Sequence, residues 1–388
     1  MSLGLPDALL GSGWPVMHQD LGVPTSYAGI VSMIIAGGTI VSSLLSERLT
    51  RFMGTGLLTA VSVAMTAVAL FGFSASSEFW MLLLWAVPYG LGAGAVDAAL
   101  NNYVALHYSS RQMSWLHGCW GVGASLSPFI MGFALARDMG WSSGYMIVGS
   151  IQAVLTLALI FSVPLWRKVH PTSPANKNEE TDEEQDGRPL SVIAALKIPG
   201  VPWMLGAFFA YCSVEAVSFL WTATYFVNQR GASPAAAATY GSLFLIGLTA
   251  GRFFSGVIAD RVGDRGMIRY GALLMILGTT LVLIPIGGIT LPLIGLTIAG
   301  LGAAPVYPSI IHATPDNFGR QNSHGIIGIQ MAGAYLGSTL TPPIFGFIAS
   351  AAGMWLFPVF LVGLSLLVLW LSQSLNRVVD TEKARDKA

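Results

Sequence analysis

Long apolar runs separated by short polar turns follow one another along nearly the whole chain. A helix needs about 20 apolar residues to cross a membrane, and most of these runs reach that length. The pattern predicts an all-α membrane protein with twelve transmembrane helices, of which the first is short enough that we expect the given chain to begin inside it. The predicted helices cover residues 1–18, 26–46, 54–73, 79–106, 112–136, 142–166, 200–228, 235–258, 267–287, 289–312, 322–350 and 354–373.

A stretch of two apolar helices that carry polar residues occurs once in each half, at residues 87–133 and again at 300–347. The first helices of the halves also correspond, because Asp7 and Glu215 fall opposite each other. Two related halves with polar groups inside their helices are typical of transporters. We therefore expect an N-terminal six-helix bundle at 1–166, an acidic linker at 167–198, a C-terminal six-helix bundle at 199–373 and a tail at 374–388.

Charged residues make up only 10% of the chain, against about 25% in soluble domains. Most Lys and Arg residues fall in the linker, the tail and alternate turns, so the positive-inside rule predicts a cell-membrane protein with both termini cytoplasmic. The formal net charge is zero, which gives no sign of a nucleic-acid partner. The two cysteines lie in apolar spans without metal-binding spacing, and no cofactor is expected.

Three carboxylates lie well inside predicted helices: Asp7, Asp97 and Glu215. A charged residue at the centre of a membrane helix costs about 2.5–3.5 kcal/mol on insertion scales, so each is a functional candidate. Burial disfavours the charged form of a carboxylate, which suits a group that loads and releases a proton. The alternative is that these side chains only join helices through hydrogen bonds.

Amides, an imidazole and flat aromatic rings can bind the hydroxyls and the apolar face of a small polar solute. Each aromatic residue could instead be a packing or membrane-interface residue. The candidate solute-binding residues are Asn101, Asn102, His117, Gln330, Trp14, Trp120, Trp221, Tyr225 and Tyr307.

The segment 256–265, GVIADRVGDR, resembles the loop signature of the major facilitator superfamily, and 45–51, LSERLTR, is a weaker copy in the first half. The resemblance covers nearly the whole chain and implies two bundles that work by alternating access. Charged pairs at helix ends could bias that motion, so we expect a gating role for Glu47, Arg48, Asp260 and Arg261. The alternative is topological anchoring alone.

Within that superfamily, residues 4–7, GLPD, and the region of Asn101, Asn102, His117 and Pro128 resemble the fucose permease branch of sugar:proton symporters. That resemblance implies one carboxylate in the first helix and one in the fourth, where Asp7 and Asp97 stand. The fucose carriers have Glu at the second position.

These observations predict a monomeric, non-enzymatic carrier that moves a small neutral polar solute, a monosaccharide above all, together with protons. Coupling to sodium stays open, because the convergence of several oxygen ligands on one ion cannot be read from one chain. A drug or metabolite exporter of the same fold is the first alternative. A receptor or scaffold that moves no solute is the second.

Overall fold

The computed structural model describes residues 4–107, 110–169, 192–285 and 288–385. Within these ranges the chain consists of helices and connecting turns, without strands. The helices are α1 (Leu9–Asp20), α2 (Tyr27–Met53), α3 (Thr55–Ser74), α4 (Phe79–His107), α5 (Ser110–Ala136), α6 (Gly140–Val169), α7 (Val192–Leu196), α8 (Val201–Arg230), α9 (Pro234–Leu283), α10 (Thr290–Ala303), α11 (Val306–His312), α12 (Thr314–Phe318), α13 (Arg320–Ala352) and α14 (Leu356–Arg385).

The predicted all-α membrane fold is confirmed. Helix α9 changes direction at Gly263, whose φ of 71° a side chain would disfavour. When α9 is divided there, α10 and α11 are joined, and the short α7 and α12 are set aside, the described residues form twelve segments in the predicted order. Nine spans among the described residues are long and apolar enough to cross a membrane.

Both ends of the described chain differ from the predicted helix boundaries. Residues 4–8 form a turn, in which the Asp7 N–H bonds to the Gly4 carbonyl and the Leu9 N–H to the Pro6 carbonyl, so that α1 begins only at Leu9. At the other end, α14 continues to Arg385, well past residue 373. Its extension stays helical because apolar side chains four residues apart, Leu375 and Val379, are buried against the bundle.

The helices pack as two groups, one formed by α1–α6 and the other by α8–α11, α13 and α14. The groups meet where α1 packs on α8 and α9, where α2 packs on α13, and where α5 packs on α9. Each contact pairs a helix of the first half with one of the second, as expected for halves related by a pseudo-twofold axis. The centre of the molecule therefore lies between the two groups.

The outer surface carries many large apolar side chains. Phe161 on α6 and Val257 on α9 expose 79% and 78% of their surfaces, and Val154 exposes 67%. Exposed apolar patches of this extent mark a surface that meets lipid or a partner rather than water. Together with the apolar spans, they place the chain in a bilayer.

The contact between α1 and α8 depends on glycine. A Cβ added at Gly11 would collide with the backbone carbonyl of Phe219 on α8. The two backbones can approach this closely because Gly11 has no side chain, as small residues allow in membrane helices. Gly37 on α2 makes a matched comparison, since a Cβ there would meet nothing within 4 Å.

We expect Gly11→Ala to lower the thermal unfolding midpoint in detergent by several degrees, because forcing an extra carbon into packed backbone costs about 1–3 kcal/mol. Gly37→Ala should leave the midpoint unchanged or raise it slightly, since alanine is the better helix former. Fluorescence-detected thermal denaturation of the purified variants measures both. Equal midpoints for Gly11→Ala and the wild type would contradict this account of the interface.

Candidate functional site

A cavity of about 150 Å³ lies between the two groups of helices. A water molecule needs roughly 10–15 Å³ of such space, so the cavity can hold several waters or a small solute. Both halves contribute to its wall, which is largely apolar and carries a few polar groups. The lining residues are Pro6, Asp7, Leu10, Gly11, Ser32, Ile35, Phe73, Tyr89, Tyr145, Ala216, Phe219, Leu220 and Pro342.

Asp7 is the carboxylate in this wall. It belongs to the turn that precedes α1, and its exposed surface faces the cavity. The indole Nε1–H of Trp120 on α5 donates a hydrogen bond of 2.8 Å to its Oδ2 atom. The two residues meet because Gly4 rests on the Trp120 backbone, where a Cβ would collide with the Trp120 carbonyl oxygen.

Two tyrosines stand beside this carboxylate. Tyr89 on α4 lines the same cavity as Asp7. The Tyr145 hydroxyl on α6 is buried and has no hydrogen-bond partner among the described residues, while its ring stacks on Phe73 with centroids 5.2 Å apart. Buried phenol hydroxyls nearly always find a partner. Because Tyr145 lines the cavity, its hydroxyl is suited to bind a molecule inside it.

Glu215 on α8 is the corresponding carboxylate of the second half. Tyr211, one helical turn earlier, donates its hydroxyl to Glu215 Oε2 at 2.8 Å. Arg252 on α9 approaches Glu215 Oε1 at 3.9 Å, and its guanidinium lies over the Trp120 ring, 5.5 Å from the centroid. Trp120 thus contacts charged residues of both halves: its N–H bonds to Asp7 and its ring face contacts Arg252.

Asp97 and Tyr307 lie near the same centre. Asp97 on α4 is exposed and interacts electrostatically with Asp7, Tyr307 and Tyr335. Tyr307 on α11 packs its ring on Phe208 with centroids 4.9 Å apart, and its hydroxyl faces the sulfur of Met331 at 3.4 Å. The Tyr307 ring also lies 6.2 Å from the ring of Tyr211, the hydrogen-bond partner of Glu215.

Two of the predicted solute-binding tryptophans are packed in the helical core. Trp14 and Trp221 are fully buried, and their indole N–H groups bond to the Thr25 and Pro342 carbonyl oxygens. Neither tryptophan lines the cavity. Both rings therefore hold helices together in this structure.

Two further predicted solute-binding residues are also part of the core. The Tyr225 hydroxyl donates to the Val282 carbonyl at 3.1 Å. Gln330 is fully buried and contacts Met204 and Thr314. Neither Tyr225 nor Gln330 lines the cavity.

Several predicted residues lie outside the side chains that the structure describes: Asn101, Asn102, His117, Glu47 and Asp260. Their proposed roles stay predictions. Arg48 and Arg261 are described, and both are exposed near the ends of their helices.

Sequence reasoning missed Tyr89, Tyr145 and Arg252. Tyr89 stands within the repeated stretch and could have been found there. Tyr145 gives no signal of its own, because a tyrosine in an apolar helix is usually a packing residue. Arg252 lies within a candidate span, Pro234–Ala259, and its position inside that span was the signal to follow.

The arrangement combines an ionisable carboxylate, phenol hydroxyls and aromatic faces in a cavity between two helical bundles. Among the described residues no group of three or more His, Cys, Asp or Glu side chains could hold a metal ion. Ligand sites between related helical bundles are a property of membrane carriers. The fold and this cavity together are typical of a membrane carrier.

The family is shown by comparison with known proteins. The sequence model of the Major Facilitator Superfamily matches residues 1–241 and again residues 203–387. The chain belongs to the Major Facilitator Superfamily. It is a transporter and not an enzyme.

Curated relatives agree with this assignment. The "Hexuronate transporter" of Bacillus subtilis (strain 168) is 25% identical over 359 residues, which cover 87% of this chain and 83% of that protein. "Bypass of stop codon protein 6" of Saccharomyces cerevisiae is 22% identical over 275 residues, which cover 66% of this chain and 55% of that protein.

Two solved structures share the fold. A mutant of the nucleoside transporter NupG superposes with a TM-score of 0.74 at 13% identity, covering 96% of each chain. The Major Facilitator Superfamily transporter FucP in the outward conformation gives a TM-score of 0.59 at 17% identity and covers 96% of this chain and 99% of that one.

The contrast between Tyr145 and Tyr225 can be tested through stability. Tyr145→Phe removes a hydroxyl without a partner among the described residues and should leave the thermal midpoint unchanged or higher. Tyr225→Phe removes the bond to Val282 and the contact with Arg230 at 2.9 Å, which should cost about 0.5–1.5 kcal/mol and lower the midpoint. A midpoint that falls equally in both variants would show that Tyr145 has a protein partner.

Proposed function

We propose that this chain is a proton-coupled symporter of a small polar solute of monosaccharide size. The observation that carries the proposal is the Asp7 carboxylate, which faces a cavity between the halves and accepts the Trp120 N–H at 2.8 Å. Polar bonds favour the ionised carboxylate, while apolar walls favour the neutral acid. Small changes around Asp7 can therefore decide whether it holds a proton.

In this mechanism the two bundles rock around the cavity and open it to one side of the membrane at a time. Asp7 and Asp97 exchange protons with the open side, and Glu215 completes the set in the second half. Solute hydroxyls replace water at Tyr145 and Tyr89, and the Phe73 ring provides an apolar face. Asn101, Asn102 and His117 remain proposed solute ligands on α4 and α5.

The remaining proposals concern topology and motion. Arg48 and Arg261, with Glu47 and Asp260, are proposed to bias the equilibrium between the two open states from their helix ends. The distribution of Lys and Arg supports cytoplasmic termini in the cell membrane. We propose a monomer as the working unit, since each chain contains both halves of the cavity.

The name of one relative supports the size and chemistry of the solute. The Bacillus subtilis protein is named for hexuronate, a six-carbon sugar ring with a carboxylate. A sugar ring suits a cavity that offers both aromatic faces and hydroxyl partners.

Export of a lipophilic compound is the second candidate function. It is favoured by the cavity wall, where apolar residues such as Leu10, Ile35, Phe219 and Leu220 outnumber polar ones. An exporter would bind its substrate mainly through these side chains and would not need the Tyr145 hydroxyl.

Uptake into proteoliposomes tests the proposal. With an acidic outside and a neutral inside, the wild type should accumulate at least one labelled monosaccharide or monosaccharide derivative from a panel above its external concentration. Asp7→Asn should exchange the same solute but not accumulate it, because an amide cannot release a proton. Accumulation driven only by a sodium gradient would contradict proton coupling. If no member of the panel moves, the symport proposal fails and export of lipophilic dyes becomes the next test.

Asp20→Asn is the matched control. The Asp20 carboxylate also accepts an indole N–H, from Trp141 at 2.9 Å, but it lies at the end of α1 and not in the cavity wall. This variant should accumulate solute as the wild type does. If Asp7→Asn and Asp20→Asn lose solute accumulation equally, the two Asp–Trp hydrogen bonds matter for folding rather than for proton coupling.

A further inference from the structure

Arg252 is the residue that the mechanism above leaves without a role. It lies inside the apolar span Pro234–Ala259, and 24% of its side chain remains accessible. An arginine inside an apolar span is costly to insert into a bilayer, and such residues usually serve a site. Its contacts are with central side chains, Glu215 and Trp120, and not with the outer surface.

Among the described side chains, these contacts use little of the hydrogen-bonding capacity of the Arg252 guanidinium. The nearest approach to Glu215 is 3.9 Å, whereas the paired bonds of a fork-shaped arginine–carboxylate contact measure about 2.7–2.9 Å. The Tyr211 hydroxyl bonds to Glu215 at 2.8 Å. Trp120 covers one face of the guanidinium. Its indole N–H is a donor, so it cannot accept a hydrogen bond from Arg252.

The planar, fork-shaped geometry of the guanidinium decides which ligand would gain most from these donors. Among the described side chains of this cluster, Asp7, Asp97 and Glu215 are acids and Arg252 is the cation. A carboxylate can take two parallel bonds from a guanidinium, which a single hydroxyl cannot. Trp120, which contacts Arg252, packs on Phe219 of the cavity wall with ring centroids 6.3 Å apart, so Arg252 lies one side chain behind that wall.

We propose that Arg252 binds a carboxylate group of the transported solute, which makes the solute a sugar acid rather than a neutral sugar. The inference rests on the proposed symport and narrows its substrate class. Glu215 is the counter-ion of Arg252 in the absence of solute. When the solute carboxylate binds, it replaces part of the contact between Glu215 and Arg252. Trp120 bonds to Asp7 through its N–H and contacts Arg252 through its ring face. The solute carboxylate at Arg252 and the proton on Asp7 are therefore bound on either side of the same indole.

Equilibrium binding of matched sugar pairs to the purified full chain tests this inference without any gradient. Labelled glucose and galactose are compared with glucuronate and galacturonate for the wild type, Arg252→Lys and Arg252→Gln. The wild type should bind at least one acid about tenfold or more tightly than its neutral partner. Arg252→Lys should weaken acid binding about tenfold, and Arg252→Gln about 100-fold, with neutral binding unchanged within about twofold.

Two further variants keep the test decisive. Arg252→Gln combined with Glu215→Gln removes both members of this ion pair, so that neither is left without its counter-ion. The double variant should fold, elute as the wild type does and still lose the preference for the acid. Arg137→Gln removes an arginine that also covers an aromatic ring, Phe133 at 5.1 Å, but lies in a turn away from the cavity. It should keep the preference.

The outcomes separate the two proposals. Tight binding of a neutral sugar with no preference for its acid, or equal weakening of both by Arg252→Gln, would overturn the role of Arg252 and leave proton-coupled uptake standing. Preference for the acid that only the Arg252 variants lose supports the inference. Failure of the wild type to bind or accumulate any member of either class would overturn both proposals together.

Discussion

Trp120 makes the contact on which the centre of the molecule depends. Its indole N–H bonds to Asp7 in the first half, and its ring face meets Arg252 in the second. Through Arg252 the contact continues to Glu215 and Tyr211. Lipid cannot satisfy such groups, so charged side chains in the spans pair with one another or face the central cavity. One aromatic residue thereby connects the ionisable groups of both bundles.

This connection requires backbones that approach very closely. Gly4 allows the turn before α1 to rest on α5, which brings Asp7 to Trp120, and Gly11 allows α1 to rest on α8. Side chains at either position would separate the elements that form the cavity. The polar site is therefore a consequence of small-residue packing as much as of the polar residues themselves, in keeping with how membrane helices associate.

The site also shows two ways of treating a buried polar group. Trp14, Trp221 and Tyr225 give their donors to backbone carbonyls and hold helices together. Tyr145 keeps a buried hydroxyl at the cavity wall without a partner among the described residues. The first arrangement stabilises the fold, while the second leaves binding capacity for a ligand. The distinction separates structural aromatic residues from the proposed solute-binding residue Tyr145, although both types look alike in the sequence.

The sequence by itself determined the all-α class, the order and approximate bounds of the helices and the membrane location, because apolar runs of spanning length have few other solutions. It also pointed to Asp7 and Glu215, since a carboxylate within an apolar run stands out. It did not show that Trp120 serves the centre while Trp14 and Trp221 serve the core, because all three are tryptophans in apolar helices. Tertiary structure alone decided which rings face the cavity, which hydroxyl lacks a partner and that Arg252 meets Glu215, because these contacts join residues far apart in the chain. Helix rotation and close packing set them, and local patterns do not encode either.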